Sequence, residues 1–386
     1  MKPILSLITI FCCILFSSCH KKHDEPGKED DAIHRTVLVY MVADNTLGDA
    51  YCDNSDLQEM LAAAKADKLN GGRLLVYHNR PGTGFGKAPQ LLEITKEGSV
   101  VIKEYPNDPA IYSVDPARIK EVIADTKKLA PAKDYGLVLW SHADGWLEHE
   151  GDYSSRSFGD DRKKHITLPG LAKALEKNYF SFIYFDCCLM GNIEVAYELR
   201  RLTPVIVASP TELPIDGMPY DENVECFFAN GEPNMLNAAY NTYKHYANGN
   251  RDPYCQMVVI NTDQLDALAS ASRSILAKVN TYPTDDEISG IQKYSIDARC
   301  WSYDMKQYFE LISGKGSTYP AWESAFNSTI AAAHSTPLGI WNLKIHTYNG
   351  LGSFIISSPS DITYRGYNNC AWYKDVVSAS PIYKGK

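Results

Sequence analysis

The sequence lacks an excess of basic residues, a fixed-period repeat and a composition typical of disorder. Its 386 residues include 38 Lys and Arg against 47 Asp and Glu, which gives a formal charge of −9 at pH 7. This balance argues against sequence-independent nucleic-acid binding, which depends on clustered basic side chains. No segment repeats at a fixed period, which argues against a solenoid. With 45% hydrophobic and 22% charged residues, the chain can bury a sizeable core, so disordered, collagen-like and disulfide-knot proteins are excluded.

The apolar run at residues 4–16 is too short to span a membrane and has the length of a signal-peptide core. It ends in Phe16-Ser17-Ser18-Cys19, which resembles the lipobox of bacterial lipoproteins, where a cysteine after small residues is lipidated. We therefore expect a signal peptide over residues 1–18, a lipidated Cys19, a tether over residues 19–34, and anchoring to the outer membrane or cell surface of a bacterium. The alternative is an ordinary cleaved signal followed by a chance cysteine.

The cysteines lack the spacing of metal knuckles and of redox Cys-x-x-Cys motifs. Removal of residues 1–18 would leave Cys19 and seven further cysteines, an odd number scattered along the chain. Cys187 and Cys188 are adjacent, which disfavours a disulfide between them. An exported protein with an odd cysteine either pairs it with another molecule or keeps a working thiol.

Buried strands alternate with helices between residues 36 and 208. Continuous apolar runs predict strands at residues 36–43, 73–77, 135–140, 180–185 and 205–208. Helices are predicted at residues 55–68, from 116 onward, at 168–177 and at 191–201. This alternation predicts an α/β fold with a mostly parallel sheet covered by helices on both faces.

Other segments lack that regular alternation. Ser55 and Gln58 have the spacing of a capping box at the start of the first helix. Residues 91–104 predict a hairpin, and residues 141–167 are expected to be mostly structureless. The later part of the chain predicts a strand at 256–260 and helices at 263–278 and 320–334.

Reactive side chains follow two of the predicted strands. His142 comes after the strand at 135–140, and Cys188 comes after the strand at 180–185. Functional groups of parallel sheets gather beyond the carboxyl ends of the strands, and one intervening helix could make these two strands neighbours. A thiol beside an imidazole is the arrangement that cysteine proteolysis requires, although each residue alone is also compatible with a structural role.

Ordered motifs then resemble the clostripain family of cysteine peptidases. The matching segments are residues 39–47 (VYMVADNTL), 131–142 (PAKDYGLVLWSH), 185–199 (FDCCLMGNIEVAYEL) and 216–220 (DGMPY), with weaker echoes at 303–305 and 348–352. The resemblance implies a caspase-like fold, with a catalytic domain over residues 35–250 and a C-terminal extension over 251–386 packed on it. It implies that Cys188 is the nucleophile, that His142 is its acid and base, and that the N–H groups of Cys188 and Ala143 bind the oxyanion.

The same resemblance implies an endopeptidase that cleaves peptides or proteins after Arg or Lys. Asp186 matches the residue that binds the P1 side chain, and Asp216 is a second candidate. Members of the family resemble zymogens that cut themselves between the histidine and the cysteine, so cleavage between Arg156 and Ser157 is expected. The backup cleavage sites are Arg162, Lys163 and Lys164.

The resemblance leaves three questions about the site. Ala143 stands where the family usually has glycine, and a positive φ at that position would strain an alanine and misdirect its N–H. Calcium dependence occurs in the family, but no calcium loop is visible, and no cofactor or metal site is predicted. Asp186 could instead cap the helix that follows it.

Two alternative functions remain open at this stage. Acidic residues and two histidines between His142 and Asp152 could suggest a zinc hydrolase, although they lack a His-x-x-x-His spacing on a helix. A lipoprotein that keeps the fold but has lost activity, and binds peptides or glycans, is the second alternative, and Ala143 is the feature that favours it. Whichever function applies, the lipid on Cys19 is the only expected contact with a membrane.

Overall fold

Nine of the described strands form one mixed sheet. The computed structural model describes residues 33–83, 86–148, 157–249, 252–297 and 300–384. The strands are β1 (Arg35–Val42), β2 (Arg73–Asn79), β3 (Gln90–Thr95), β4 (Gly98–Glu104), β5 (Asp134–Trp140), β6 (Phe158–Asp161), β7 (Lys164–Ile166), β8 (Phe182–Asp186), β9 (Val205–Ala208), β10 (Gln256–Asn261), β11 (Tyr303–Asp304), β12 (Ile330–Ser335) and β13 (Gly352–Ser353). The large sheet has the order β12-β10-β9-β8-β5-β1-β2-β3-β4, and β6–β7 and β11–β13 form two small sheets.

The centre of the large sheet is parallel and its two edges are antiparallel. Strands β9, β8, β5, β1 and β2 run in one direction, whereas β3 and β4 at one edge and β10 and β12 at the other pair antiparallel. β10 and β12 come from the later part of the chain, so that part completes the same sheet. The α/β prediction with a mostly parallel sheet is confirmed.

Helices cover both faces of this sheet. They are α1 (Thr46–Asp49), α2 (Cys52–Lys65), α3 (Pro116–Leu129), α4 (Leu168–Leu175), α5 (Ile193–Leu199), α6 (Tyr220–Phe227), α7 (Met235–Ala247), α8 (Leu265–Leu276), α9 (Asp285–Ser289), α10 (Met305–Ser313), α11 (Tyr319–Thr329) and α12 (Ala371–Asp375). All of β1 is buried, and its alternate side chains enter two separate cores. Val37, Val39 and Met41 pack with α2, α6 and α7, whereas Leu38 and Tyr40 pack with α3, α4, α5 and the later helices.

Three local predictions were wrong. α2 begins at Cys52 with Tyr51 as its N-cap, so Ser55 lies inside the helix and forms no capping box. The predicted helix at 320–334 ends at Thr329, and Ile330–Ser335 form β12 because they pair with β10. Residues 158–166, expected to be structureless, form the β6–β7 hairpin. In the first two cases tertiary pairing and packing overrode local preference.

None of the described helices is both long enough and apolar enough to cross a membrane.

Candidate active site

The pairing of β5 with β8 brings His142 and Cys188 to one edge of the sheet. Trp140 at the end of β5 pairs with Asp186 at the end of β8, and each reactive residue lies two positions beyond. Gly136 permits this approach, because a Cβ there would lie 2.3 Å from the ring of Phe182. His142 and Cys188 both line a cavity of about 290 Å³. The expected proximity of these two strand ends is therefore present in the structure.

The Cys188 side chain faces this cavity in a neutral form. The Leu213 N–H donates to its sulfur at 3.4 Å, and the thiol is partly exposed. Burial raises the pKa of Cys188 to about 12, despite that hydrogen bond, and the charges of Glu212, Asp144 and Asp186 act in the same direction. A thiol with such a pKa is almost entirely protonated at neutral pH, so this state holds little thiolate.

Cys187 differs from its neighbour in both exposure and direction. It is 4% exposed, and its thiol lies 3.7 Å from the carbonyl oxygen of Leu139 in the core. The chain turns sharply after Cys188, since Leu189 has a left-handed φ of 64° and its N–H donates to the carbonyl of Thr211. Both residues line the cavity, but only the Cys188 thiol is partly exposed, whereas the Cys187 thiol contacts the core.

Thr46 contacts the imidazole of His142. Its Oγ1 lies 2.8 Å from His142 Nε2 and can orient the ring. Thr46 is the first residue of α1, directly after Asn45, whose side chain donates to the carbonyls of Val42 and Asp160. Thr46 belongs to the matching segment 39–47, but nothing in the sequence shows that this turn reaches His142.

Ala143 is not strained. It is buried, and it is absent from the described residues that have a positive φ. The residue with a left-handed backbone shortly after His142 is Gly145, whose φ is 70°. A Cβ on Gly145 would lie 2.8 Å from the carbonyl oxygen of Leu189. The concern that an alanine at 143 would misdirect its N–H therefore has no support in the backbone geometry.

Asp186 is a buried carboxyl at the wall of the same cavity. It is 4% exposed, and its Oδ1 accepts the Met218 N–H at 3.0 Å. Its Oδ2 makes no hydrogen bond within the described part of the chain; the Tyr220 hydroxyl lies nearby without reaching bonding geometry. Burial raises the pKa of Asp186 to about 7. The carboxyl therefore keeps one unsatisfied acceptor, and it becomes anionic when a cation is near.

Asp56 is a second buried carboxyl near the cavity, and the sequence analysis missed it. It is 2% exposed on α2, and it accepts the indole N–H of Trp140 at 2.6 Å. Burial raises its pKa, and the charge of Asp186 adds to that shift. The predicted helix over residues 55–68 contains Asp56, but the contact of Asp56 with Trp140 exists only in the folded chain.

Asp216 and Asp186 differ in their exposure and in their position relative to the cavity. Asp216 is exposed, and its neighbour Gly217 lines the cavity in its place. Gly217 has a φ of 65°, and a Cβ on it would lie 3.0 Å from Asp186 Oδ1. The loop after β9 therefore contacts the carboxyl through a glycine.

The segment between His142 and Cys188 is only partly described. Arg156 lies outside the described residues, as does Cys19. Ser157 is buried and its Oγ donates to the carbonyl of Leu147 at 2.7 Å, although this part of the loop was expected to be exposed. Among the backup cleavage sites, Arg162 is held by the carbonyls at positions 109 and 111, whereas Lys163 and Lys164 are exposed.

Within the described ranges, no group of three or more His, Cys, Asp or Glu side chains is arranged to hold a metal ion. Of the residues considered for zinc, His149, Glu150 and Asp152 lie outside those ranges.

Comparisons with known proteins agree with this geometry. The sequence profile of the clostripain family matches residues 39–372. An inactive zymogen C11 protease from Parabacteroides distasonis has 27% sequence identity and a TM-score of 0.76, with 89% of this chain and 98% of that chain covered. A secreted C11 cysteine protease from Bacteroides thetaiotaomicron, solved with an irreversible peptide inhibitor, has 28% identity and a TM-score of 0.75, with 89% and 99% covered. No curated protein sequence gave a significant match. Because the family profile spans most of its length, this chain belongs to the clostripain family of cysteine proteases.

Proposed function

We propose that this protein is a cysteine endopeptidase that cleaves after Arg or Lys. The observation that carries the proposal is Asp186, a buried carboxyl with an unsatisfied oxygen in the cavity that also contains Cys188 and His142. A guanidinium or ammonium group would supply the missing donors and favour the anionic form of the carboxyl. Asp56 behind Trp140 adds negative charge to the same region when it is ionised.

The reaction follows from the roles of the two residues. Cys188 transfers its proton to His142 and attacks the carbonyl carbon of the bound Arg or Lys, while backbone N–H groups of Cys188 and Ala143 stabilise the oxyanion that forms before the C–N bond to the next residue breaks. His142 then protonates the leaving amine, and water releases the acyl group from the sulfur. Thr46 holds the imidazole in position during these transfers.

We also propose that the intact chain is a precursor that is cut between Arg156 and Ser157. The neutral Cys188 thiol supports this, because a pKa of about 12 leaves too little thiolate for efficient attack. The similar Parabacteroides protein is described as an inactive zymogen.

The proposed location is the bacterial envelope, with the protein exported and held by lipid on Cys19. The similar Bacteroides thetaiotaomicron protease is described as secreted, which supports export. The alternative of an inactive peptide- or glycan-binding lipoprotein depended on Ala143, and the relaxed backbone at that residue removes its main argument.

The first test uses protein without residues 1–19 and fluorogenic peptides with Arg, Lys, Ala, Asp or Phe at P1. We expect hydrolysis of the Arg and Lys peptides alone, abolished in Cys188→Ala and retained in Cys187→Ala. The second variant is the matched control, since it removes a neighbouring thiol that faces the core. Loss of activity in Cys187→Ala with retention in Cys188→Ala would contradict the assignment. Cleavage after Phe or Ala would contradict the role of Asp186.

Activation is tested by Arg156→Ala, with Lys163→Ala/Lys164→Ala as a control that removes two exposed basic residues nearby. We expect the first variant to stay intact and weakly active, and the second to yield a new N-terminus at Ser157. Electrophoresis and N-terminal mass spectrometry identify the cut, and peptide hydrolysis measures its effect. Full activity in an intact Arg156→Ala protein would overturn the requirement for cleavage.

A further inference from the structure

Trp341 is an exposed aromatic residue in an unusual backbone conformation. Its side chain is 80% exposed, on a short 3₁₀ turn formed by Ile340–Asn342. Trp341 and Asn342 both have left-handed φ values, 50° and 61°. A bulky residue with a left-handed backbone is strained, and a large aromatic side chain left in water gains nothing from burial. The chain therefore presents an indole at the surface despite the strained backbone and the exposure of the ring to water.

The turn is held firmly against the active site. The N–H of Gly339 donates to the carbonyl of Leu343 at 2.7 Å, which closes the turn. The buried side chain of Gln256 donates to the carbonyl of Leu338 at 3.0 Å and accepts the Thr211 hydroxyl at 2.8 Å. Thr211 in turn accepts the N–H of Leu189, the residue after Cys188. One buried amide thus connects the Trp341 turn to the turn that carries the nucleophile.

A second cavity of about 290 Å³ adjoins the one that contains Asp186. Tyr254 and Ile340 line both cavities, and Leu338 and Trp341 complete the apolar wall of the second. The described lining of this second cavity includes neither His142 nor Cys188. The leaving group must lie beside His142, which protonates it, so a cavity that adjoins the P1 site away from His142 lies on the acyl side of the substrate.

Trp341 also borders a larger cavity of about 630 Å³ that His142 and Cys188 line. Trp341 therefore lines both the second cavity and the larger cavity that contains Cys188. A peptide that extends from the P1 site into the second cavity would pass beside this ring.

We propose that Trp341, with Ile340 and Leu338, forms a subsite for an apolar substrate side chain at P2 or P3, on the N-terminal side of the cleaved Arg or Lys. This inference rests on the proposed function. The second cavity, at about 290 Å³, has room for a large aliphatic or aromatic side chain, and Leu338, Ile340 and Trp341 give it apolar walls. The substrate class is then an extended segment with an apolar residue shortly before a basic one.

The test compares a P1-only substrate, an acyl-arginine fluorogenic amide, with tetrapeptides that vary Leu, Phe, Gly and Glu at P2 and at P3. The wild-type protein, cut after Arg156, is assayed beside Trp341→Ala and Trp341→Phe. Tyr179→Ala is the matched control, because Tyr179 is another exposed aromatic residue at 61% exposure that lines none of the three cavities. Thermal unfolding of each variant checks the fold.

We expect wild-type protein to prefer Leu or Phe over Gly at one of the two positions by about tenfold in kcat/KM, mainly through KM. Trp341→Ala should lose that preference, with at least ten times more loss on the tetrapeptides than on the P1-only substrate. Trp341→Phe should restore most of it, and Tyr179→Ala should keep both activities.

Equal losses on both substrates in Trp341→Ala, or an unchanged preference, would overturn the subsite while leaving the proposed function intact. A wild-type protein that is cut and folded but hydrolyses neither substrate would overturn the proposed function, and the subsite with it.

Discussion

Burial gives the Asp186 side chain two properties that ordinary surface aspartates lack. Its pKa is raised to about 7, and its Oδ2 makes no hydrogen bond within the described residues, although the Tyr220 hydroxyl lies close to it. The raised pKa keeps the Asp186 carboxyl neutral when no cation is bound, which avoids the cost of an unpaired buried charge. The unsatisfied oxygen makes a cationic P1 side chain a suitable partner.

The raised pKa of Asp186 predicts a pH dependence. Below about pH 7 the free protein holds mostly the neutral acid, so kcat/KM for Arg and Lys peptides should fall by about tenfold in total as the pH drops from 8 to 6. The titration of His142 also affects catalysis, so the rate of alkylation of Cys188 by neutral iodoacetamide is measured over the same range. The ratio of kcat/KM to alkylation rate isolates Asp186, and a ratio that stays flat would contradict the prediction.

Replacement of the carboxyl provides the complementary test at this scale. Asp186→Asn should lower kcat/KM for Arg and Lys peptides by about 30-fold or more, because the charge-assisted hydrogen bonds to the P1 side chain are lost. Alkylation of Cys188 should persist in this variant. Parallel loss of alkylation would show that Asp186 supports the site rather than the substrate.

At the scale of elements, loops after parallel strands set the shape of the site. The loop between β9 and α6 supplies the Leu213 N–H to Cys188 and the Met218 N–H to Asp186. Between them, Gly217 passes close to the Asp186 carboxyl with a left-handed backbone. A single loop therefore contacts both Cys188, the proposed nucleophile, and Asp186, the proposed P1 carboxyl.

Gly217→Ala should impair binding of the P1 side chain. A Cβ would lie 3.0 and 3.1 Å from the two carboxylate oxygens, which would push Asp186 aside, and we expect KM for Arg peptides to rise about tenfold. Gly231→Ala is the matched control, because its φ of 77° imposes similar backbone strain with no atom within 4 Å of the new Cβ. Both variants should lose about 1–2 kcal/mol of stability. Similar KM values in the two variants would rule out the contact as the cause.

At the scale of the whole molecule, the later part of the chain completes the sheet that carries the site. β10 pairs with β9, and its side chains enter both cores: Val258 and Ile260 on one face, and Met257 and Val259 on the other. Without β10, the edge of β9 and the surfaces of both cores would be exposed to water. Such edges promote aggregation.

We therefore expect a fragment of residues 33–250 to be unfolded or aggregated, whereas residues 33–386 should fold. Circular dichroism and size-exclusion chromatography distinguish these results. A soluble, monomeric 33–250 fragment with native strand content would instead show that the predicted catalytic domain over residues 35–250 folds without the C-terminal extension. The boundary near residue 250 stays a prediction until that comparison is made.

The sequence predicted the central strands because these are continuous apolar runs, and such runs suit strands buried on both faces. It predicted β12 wrongly because residues 330–335 are rich in alanine, which favours helix locally, and only pairing with β10 makes them a strand. Thr46 and Asp56 were missed for a related reason. Their importance depends on contacts with His142 and Trp140, which exist only in the folded chain.

The sequence by itself determined the order of strands and helices, the α/β class, and the reactive residues His142 and Cys188 at strand ends, because these depend on hydrophobic pattern and on motifs. Only the tertiary structure decided that Ala143 is relaxed, that Asp186 has an unpaired oxygen, and that Trp341 adjoins the site. The physical reason is that burial, backbone angles and hydrogen bonding at these residues arise from segments distant in the chain, which meet only after the sheet has assembled.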